Sequence, residues 1–185
     1  MPEQIRDGTG KGFLAEVDSD NRLTTRAVTQ SELAFAAESM AKSFSVYGKR
    51  NFVAANTNEN IFYMTYTGTG QLHIQSVTFS SNSSSAKVEM YFLATSVSGG
   101  TAVVPLNLNR GSAIVSEATC LNGNADLTAT TDGINEIFDV RLNVSTFTQP
   151  FDGGIILRKN DNLLILGEVA VIGDKIRTMV FFYED

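Results

Sequence analysis

The sequence predicts an all-β protein: a jelly-roll-like β-sandwich of about nine to eleven strands, preceded by an extended N-terminal arm and one short α-helix. Three observations lead there. Apolar and polar residues alternate with period two in segment after segment, the pattern of strands with one face on a core. Clusters of Gly, Ser, Asn and Asp interrupt the pattern at roughly 8–12-residue spacing. Charged residues make up 18% of the chain, below the usual ~25%, and Thr, Ser, Asn and Gly take their place in the connections.

The most regular stretch is 61–95. Phe62, Met64 and Tyr66 alternate with Tyr63, Thr65 and Thr67. Thr67-Gly68-Thr69-Gly70 is a turn, and Leu72 and Ile74 then share a face. Val77 and Phe79 have the opposite parity. That slip at Gln75-Ser76 predicts a β-bulge, because one extra residue flips every later side chain. After the turn at Asn82–Ser85, Ala86, Val88, Met90, Phe92 and Ala94 alternate with Lys87, Glu89, Tyr91 and Thr95. The three strands read as a meander.

Before this stretch, residues 1–28 read as an arm with short extended segments. Phe13, Ala15 and Val17 form a short strand, Asp18-Ser19-Asp20-Asn21 a turn, and Arg22–Val28 a second extended piece. Residues 29–45 read as the helix. Thr29 and Glu32 make a capping box, and Leu33, Ala36, Ala37, Met40 and Phe44 fall on one stripe. Phe35 points away from that stripe. A strand over 45–55, broken at Gly48, opens the sandwich domain, 46–185.

After the meander, Val104, Leu106 and Leu108 alternate with Pro105, Asn107 and Asn109. Pro105 cannot donate to a ladder, so this strand lies at an edge or carries a bulge. Ser112–Leu121 and Ala125–Thr131 read as two shorter strands. Phe138, Val140, Leu142 and Val144 give the clearest one-sided strand. Pro150–Gly154 reads as a loop, and Arg158–Asn162 as a hairpin turn. Leu163–Leu166 and Met179–Tyr183 are apolar on both faces, which suits strands covered on both sides.

Composition bounds the function. At 185 residues with 43% hydrophobic content, the chain can build one full core, burying roughly 70% of its unfolded surface. A net charge of −6, with Lys and Arg scattered, speaks against direct nucleic-acid binding and gives no reason to bind an anionic membrane. One cysteine, Cys120, permits no disulfide within the chain. The first residues lack the apolar core of a signal peptide, and no apolar run approaches the ~20 residues of a membrane span.

Catalytic chemistry is not legible. The single histidine, His73, falls on the polar side of its strand and has no nucleophile elbow beside it. One histidine and one cysteine make a transition-metal site unexpected, and no cofactor is expected. Asp18-Ser19-Asp20-Asn21 lacks the distal Gly and Glu of a calcium loop. Gly8-Thr9-Gly10-Lys11-Gly12 lacks the Ser or Thr that follows Lys in a phosphate loop. Glu136 and Asp139 could serve as paired carboxylates, although solvated charges are the plainer reading. Tyr63, Tyr66, Tyr91 and Tyr183 could offer a sugar platform in a chain with no Trp.

What remains is surplus apolar surface. Arg22 and Leu23 in the arm, Phe35 on the helix, and Phe181 and Tyr183 on the last strand are the expected interface residues. Substituting Phe35 by Ala or Ser should loosen assembly.

Asp7-Gly8-Thr9-Gly10, followed by Ala15–Val28 with Val17-Asp18 and Arg22-Leu23, resembles the opening of tailed-bacteriophage virion proteins. Val104–Ser112 and Gly153–Leu157 are similar by pattern. The resemblance implies a head decoration, or cement, protein with a jelly-roll core. It implies a homotrimer on the capsid exterior, made in the host cytoplasm, whose partner is the major capsid protein and whose arm grips the shell. It implies no enzymatic activity. A tail or fibre domain binding host-surface carbohydrate is the alternative, and a hydrolase using Glu136 and Asp139 a third reading.

Overall fold

The computed structural model describes residues 16–17, 23–24, 37, 41–92, 95–123, 127–130 and 135–185. The chain divides into two units, Met1–Ser31 and Glu32–Asp185. In the first, β1 (Glu16–Val17) pairs antiparallel with β2 (Leu23–Thr24). The expected short extended segments of the arm therefore pair where they are described.

The second unit carries the remaining strands. They are β3 (Ser43–Asn51), β4 (Glu59–Tyr66), β5 (Leu72–Ser81), β6 (Ala86–Phe92), β7 (Thr95–Ser98), β8 (Thr101–Val103) and β9 (Leu106–Asn107). Then follow β10 (Ala118–Asn122), β11 (Thr128–Thr130), β12 (Glu136–Leu142), β13 (Thr146–Leu157), β14 (Asn162–Val169) and β15 (Lys175–Glu184). A six-stranded sheet has the order β12-β6-β14-β4-β10-β8, and a five-stranded sheet the order β13-β5-β15-β3-β9. All pairings are antiparallel. One core joins both sheets: Phe44, Val46, Leu72, Ile74, Val77, Phe79, Val180 and Phe182 from the five-stranded side meet Phe62, Met64, Val88, Met90, Leu163 and Ile165 from the other. The fold is a β-sandwich, as the alternation predicts.

The chain alternates between the sheets. From β3 to β6 and again from β12 to β15, each step crosses from one large sheet to the other. Where the chain stays with the six-stranded sheet, from β6 to β8 and from β10 to β12, it detours through a small sheet made by β7 and β11. The expected meander over 61–95 is therefore corrected. β5 lies in the sheet opposite β4 and β6. The reason is loop length: two-residue turns fold a hairpin back on itself, whereas 67–71 and 82–85 span the ~10 Å between stacked sheets. Arg158–Asp161 is corrected for the same reason. The Asp161 N–H donates to the Arg158 carbonyl at 2.9 Å, a tight turn, but it links β13 to β14 across the sandwich.

The bulge appears where the sequence places it. Phe181 pairs with Ser76 and Phe182 with Ile74, leaving Gln75 as the extra residue. On the other side of β5, Pro150 pairs with Ser76 and Ile155 with Ile74. The expected 150–154 loop is thus an excursion inside one long edge strand, with positive φ at Asp152 and Gly153.

Other expectations shift. The helix lies outside the described residues except for its last part, and there Phe44 belongs to β3, where it stacks on Phe182 at 5.5 Å. Pairing with β15 over the whole of β3 decides this position. Gly48 does not break β3. A Cβ there would lie 2.8 Å from Thr178 Cγ2 and 3.0 Å from the Phe62 ring, so glycine permits close approach of the layers. Pro105 separates β8 from β9, each an edge strand of its own sheet. Leu163–Leu166 is covered on both faces, because Leu164 joins Tyr63, Tyr91 and Leu127 in a second apolar cluster, with Val97 of β7 and Ala129 of β11 packed on it. Met179–Tyr183 is not. Val180 and Phe182 are fully buried, whereas Met179 is 38% exposed and Phe181 and Tyr183 are half-buried on the outer side.

Candidate functional site

The outer face of the five-stranded sheet is the surface on which predicted interface residues meet. Antiparallel register places side chains in rows across the strands. One row is Ile156, His73, Tyr183 and Ser43. The next is Pro150, Ser76, Phe181, Ser45 and Leu106. A third is Thr148, Thr78, Met179 and Tyr47, and a fourth is Thr146, Ser80, Arg177 and Lys49. The Thr78 and Thr148 hydroxyls are 2.9 Å apart, so these side chains share a face.

The first three rows contain no Asp, Glu, Lys or Arg. Leu106 is 62% exposed, and Tyr47 and Ile156 are each 43% exposed. Aromatic and aliphatic groups alternate there with hydroxyls. Charge collects at the two ends. Arg177 and Lys49 stand in the fourth row, with Lys175 one row further. At the opposite end is Asp185.

His73 and Tyr183 fix that end. Their rings stack in parallel at 4.5 Å. His73 Nε2 lies 3.4 Å from Asp185 Oδ2, and the Gln71 N–H donates to Asp185 Oδ1 at 2.6 Å. That backbone hydrogen bond, with His73 and Lys42 adding to it, holds the Asp185 carboxyl below its usual range. His73, read as a polar-face residue, lies on this outer face and is the stacking partner of a tyrosine expected at the interface.

Directly behind, on the inner side, Glu184 is buried. It accepts from Ser116 Oγ at 2.5 Å and from the Glu117 N–H at 3.1 Å. Burial, with the nearby Glu117 charge, still raises its pKa above the usual carboxylate value. The neighbouring Tyr66 is pushed up to about 12, by burial and then by the Glu184 and Glu117 charges.

Of the five expected interface residues, Phe181 and Tyr183 lie on this face. Arg22 and Phe35 fall outside the described residues, as does the side chain of Leu23. The Asp18–Asn21 and Gly8–Gly12 segments fall outside them too. Tyr47, Ile156, Leu106 and Met179 belong to the face and were not singled out. Tyr47 had a signal in the period-two pattern of Ser43–Lys49, which the helical stripe through Phe44 obscured.

Two other sequence candidates change character. Tyr63, Tyr66 and Tyr91 are at most 9% exposed, so they cannot form a sugar platform with Tyr183. Glu136 and Asp139 do come together, joined by Glu89, with carboxylate oxygens within 4.8 Å of one another. Register puts Asp139 opposite Glu89 on the outer side of β12 and β6. Lys87 bonds Glu89 and reaches Asp139 at 3.3 Å, supplying the balancing charge.

No protein-family model matches the chain, and no curated protein matches it. Among solved structures, the chain is similar to that of infectious bursal disease virus, Gx strain, at 11% identity, covering 78% of this chain and 39% of that one, with a TM-score of 0.17. A score that low carries no argument for fold or function. This chain spans about 39% of that viral chain's length.

Proposed function

We propose that this chain is a virion structural protein: a decoration, or cement, protein that binds the outside of a phage capsid as a homo-oligomer and stabilises it. The observation that carries this reading is the outer face of the five-stranded sheet. Its three rows carry Tyr47, Met179, Phe181 and Tyr183 and no Asp, Glu, Lys or Arg, and depletion of charge with enrichment of aromatics and Met marks the core of a protein-contact surface. The chain's opening residues resemble phage virion proteins, and the sandwich supplies a stiff body. Repetition over a shell turns modest contacts into strong retention by effective concentration. The partner is then the major capsid protein, the location the capsid exterior, and the trimer the form that the resemblance implies.

The test is to strip the protein from purified heads and follow shell rupture on heating. Stripped shells should open at lower temperature, and adding the protein back should restore the original midpoint. Shells indifferent to the protein, or protein recovered only with tails and retained on host glycans, would transfer it to the tail or fibre reading.

A further inference from the structure

The outward side chains of β15 read, in order, Lys175, Arg177, Met179, Phe181 and Tyr183, with Asp185 next. The strand has no bulge of its own, since the extra residue opposite it is Gln75 of β5, so this series is unbroken. Two cations, three apolar groups and one anion in line make a self-complementary series. We propose that the outer face of the five-stranded sheet binds a second copy of itself through a two-fold contact. The axis lies in the plane of the face, crosses the strands at right angles, and passes between Met179 and Phe181.

That operation reverses the rows. Lys175 of one copy meets Asp185 of the other, an ion pair. Arg177 meets Tyr183, whose ring face is taken by His73 and whose hydroxyl oxygen can accept from the guanidinium. Met179 meets Phe181, a sulfur–aromatic contact. Each pair occurs twice, as an isologous interface requires. The alternative in-plane axis, parallel to β15, would put Lys175 and Arg177 on their own copies. Like charges would then face each other, so the charge series selects the crosswise axis.

Size permits it. Four long strands at ~4.8 Å spacing and ten residues at ~3.4 Å give a footprint on the order of 650 Å², to which the two residues of β9 add at one edge, within the range of one partner's share of a stable interface. The sheets then stack with nearly antiparallel strands, as face-to-face sheets do. The hydroxyls of Ser45, Ser76 and Thr78 fill the positions between the larger side chains. The long edge strand β13 does not compete as a pairing site, because Pro150 and the 151–154 excursion interrupt it. The contact rests on the same face as the proposed function and assigns the self-association of that reading to it, as a two-fold pair in place of the trimer that the resemblance implies.

Light scattering on a sizing column, on the free full-length protein, reads the mass. The expected value is about twice the 20.0 kDa of the chain. Met179→Glu should return it to a single chain, with strand content by circular dichroism unchanged because the side chain is exposed. A Lys175→Cys, Asp185→Cys double variant then tests the arrangement. Oxidation should link two chains on a non-reducing gel, and neither single variant should do so. The two positions lie about 34 Å apart along one strand, so a link within one chain is out of reach, and Cys120 is buried. A monomeric or trimeric mass, or linking by a single variant, overturns the two-fold contact. Because the shell is absent from this experiment, its failure is read from the mass of the free protein alone, whereas failure of the virion reading is read from shells that are indifferent to the protein.

Discussion

Arg50 and Glu59 form a charge pair inside the sandwich, with both side chains less than 10% exposed. Arg50 also donates from Nη1 to the Gly123 carbonyl at 3.0 Å, and Glu59 Oε1 accepts the N–H groups of Val53 and Ala54. One pair thus ties the end of β3, the β3–β4 turn and the end of β10. Removing one partner strands a buried charge, which costs about 3–5 kcal/mol. Arg50→Met and Glu59→Leu should each lose stability on that scale, and the double variant should recover most of it. Denaturant midpoints check this. Single and double variants that lose stability additively would show that the two charges are not coupled.

Two glycines should separate by what their missing Cβ would meet. At Gly123 it would lie 2.0 Å from the Asn60 carbonyl oxygen and 2.6 Å from that of Ile61, both backbone atoms. The Gly123 N–H also bonds the Ile61 carbonyl at 2.7 Å. At Gly48 the nearest atoms lie further off, 2.8 Å and 3.0 Å away, and belong to the Thr178 and Phe62 side chains rather than to the backbone. Overpacking costs about 1–3 kcal/mol. Gly48→Ala should sit within that range and Gly123→Ala at or beyond its upper end. Thermal midpoints of the two variants, measured side by side, decide the order.

How much of this was legible follows from what a pattern encodes. Parity along one strand showed the bulge, because Leu72 and Ile74 against Val77 and Phe79 is a local fact. The same reasoning held for Leu163–Leu166 and failed for Met179–Tyr183, because a run apolar on both faces marks surface that favours cover without saying whether the chain itself supplies it. Parity says nothing about which strand lies alongside. The crossing of every turn from β3 to β6 therefore stayed hidden, and with it the rows that gather Tyr47, Met179, Ile156 and Leu106 beside Phe181 and Tyr183. Glu89 joins Glu136 and Asp139 only through the register of β12 on β6. Arg50 read as an ordinary charged residue, because nothing local marks the approach of Gly123 that gives it a buried acceptor. Phe44 was claimed by a helical stripe and won by a strand, where a residue-long match to two periods was settled by pairing with Phe182.

Glu184 should shape the pH dependence of stability. Burial raises its folded pKa above the unfolded value. Its contribution is therefore fully present below the ordinary glutamate range and is lost as pH rises through the raised folded value. Asp185, lowered chiefly by the Gln71 N–H, works in the other direction: its contribution is present above the ordinary aspartate range and is lost as pH falls through the lowered value. Glu184→Gln keeps an acceptor for Ser116 and Glu117 and cannot ionise. Relative to the native chain, this variant should gain stability progressively as pH rises past the glutamate range. Urea midpoints across that range check it. Parallel curves for the two proteins would show that Glu184 ionises as freely folded as unfolded.

Cys120 provides a probe of the whole sandwich. It lies in β10, 1% exposed and paired with both Met64 and Val103 across the sheet. Burial, with the Glu184 charge adding to it, pushes its thiol up to about 12. The thiolate is the reactive form, so at neutral pH the native chain should resist alkylation. Exposing the thiol requires β10 to leave both neighbours, which couples labelling to opening of the six-stranded sheet. The labelling rate should therefore rise steeply through the urea unfolding transition, and its logarithm should increase in Gly123→Ala and Arg50→Met in proportion to their lost stability. Fast labelling of the native protein without denaturant would mean that the β8–β10 edge opens by itself, independently of the core.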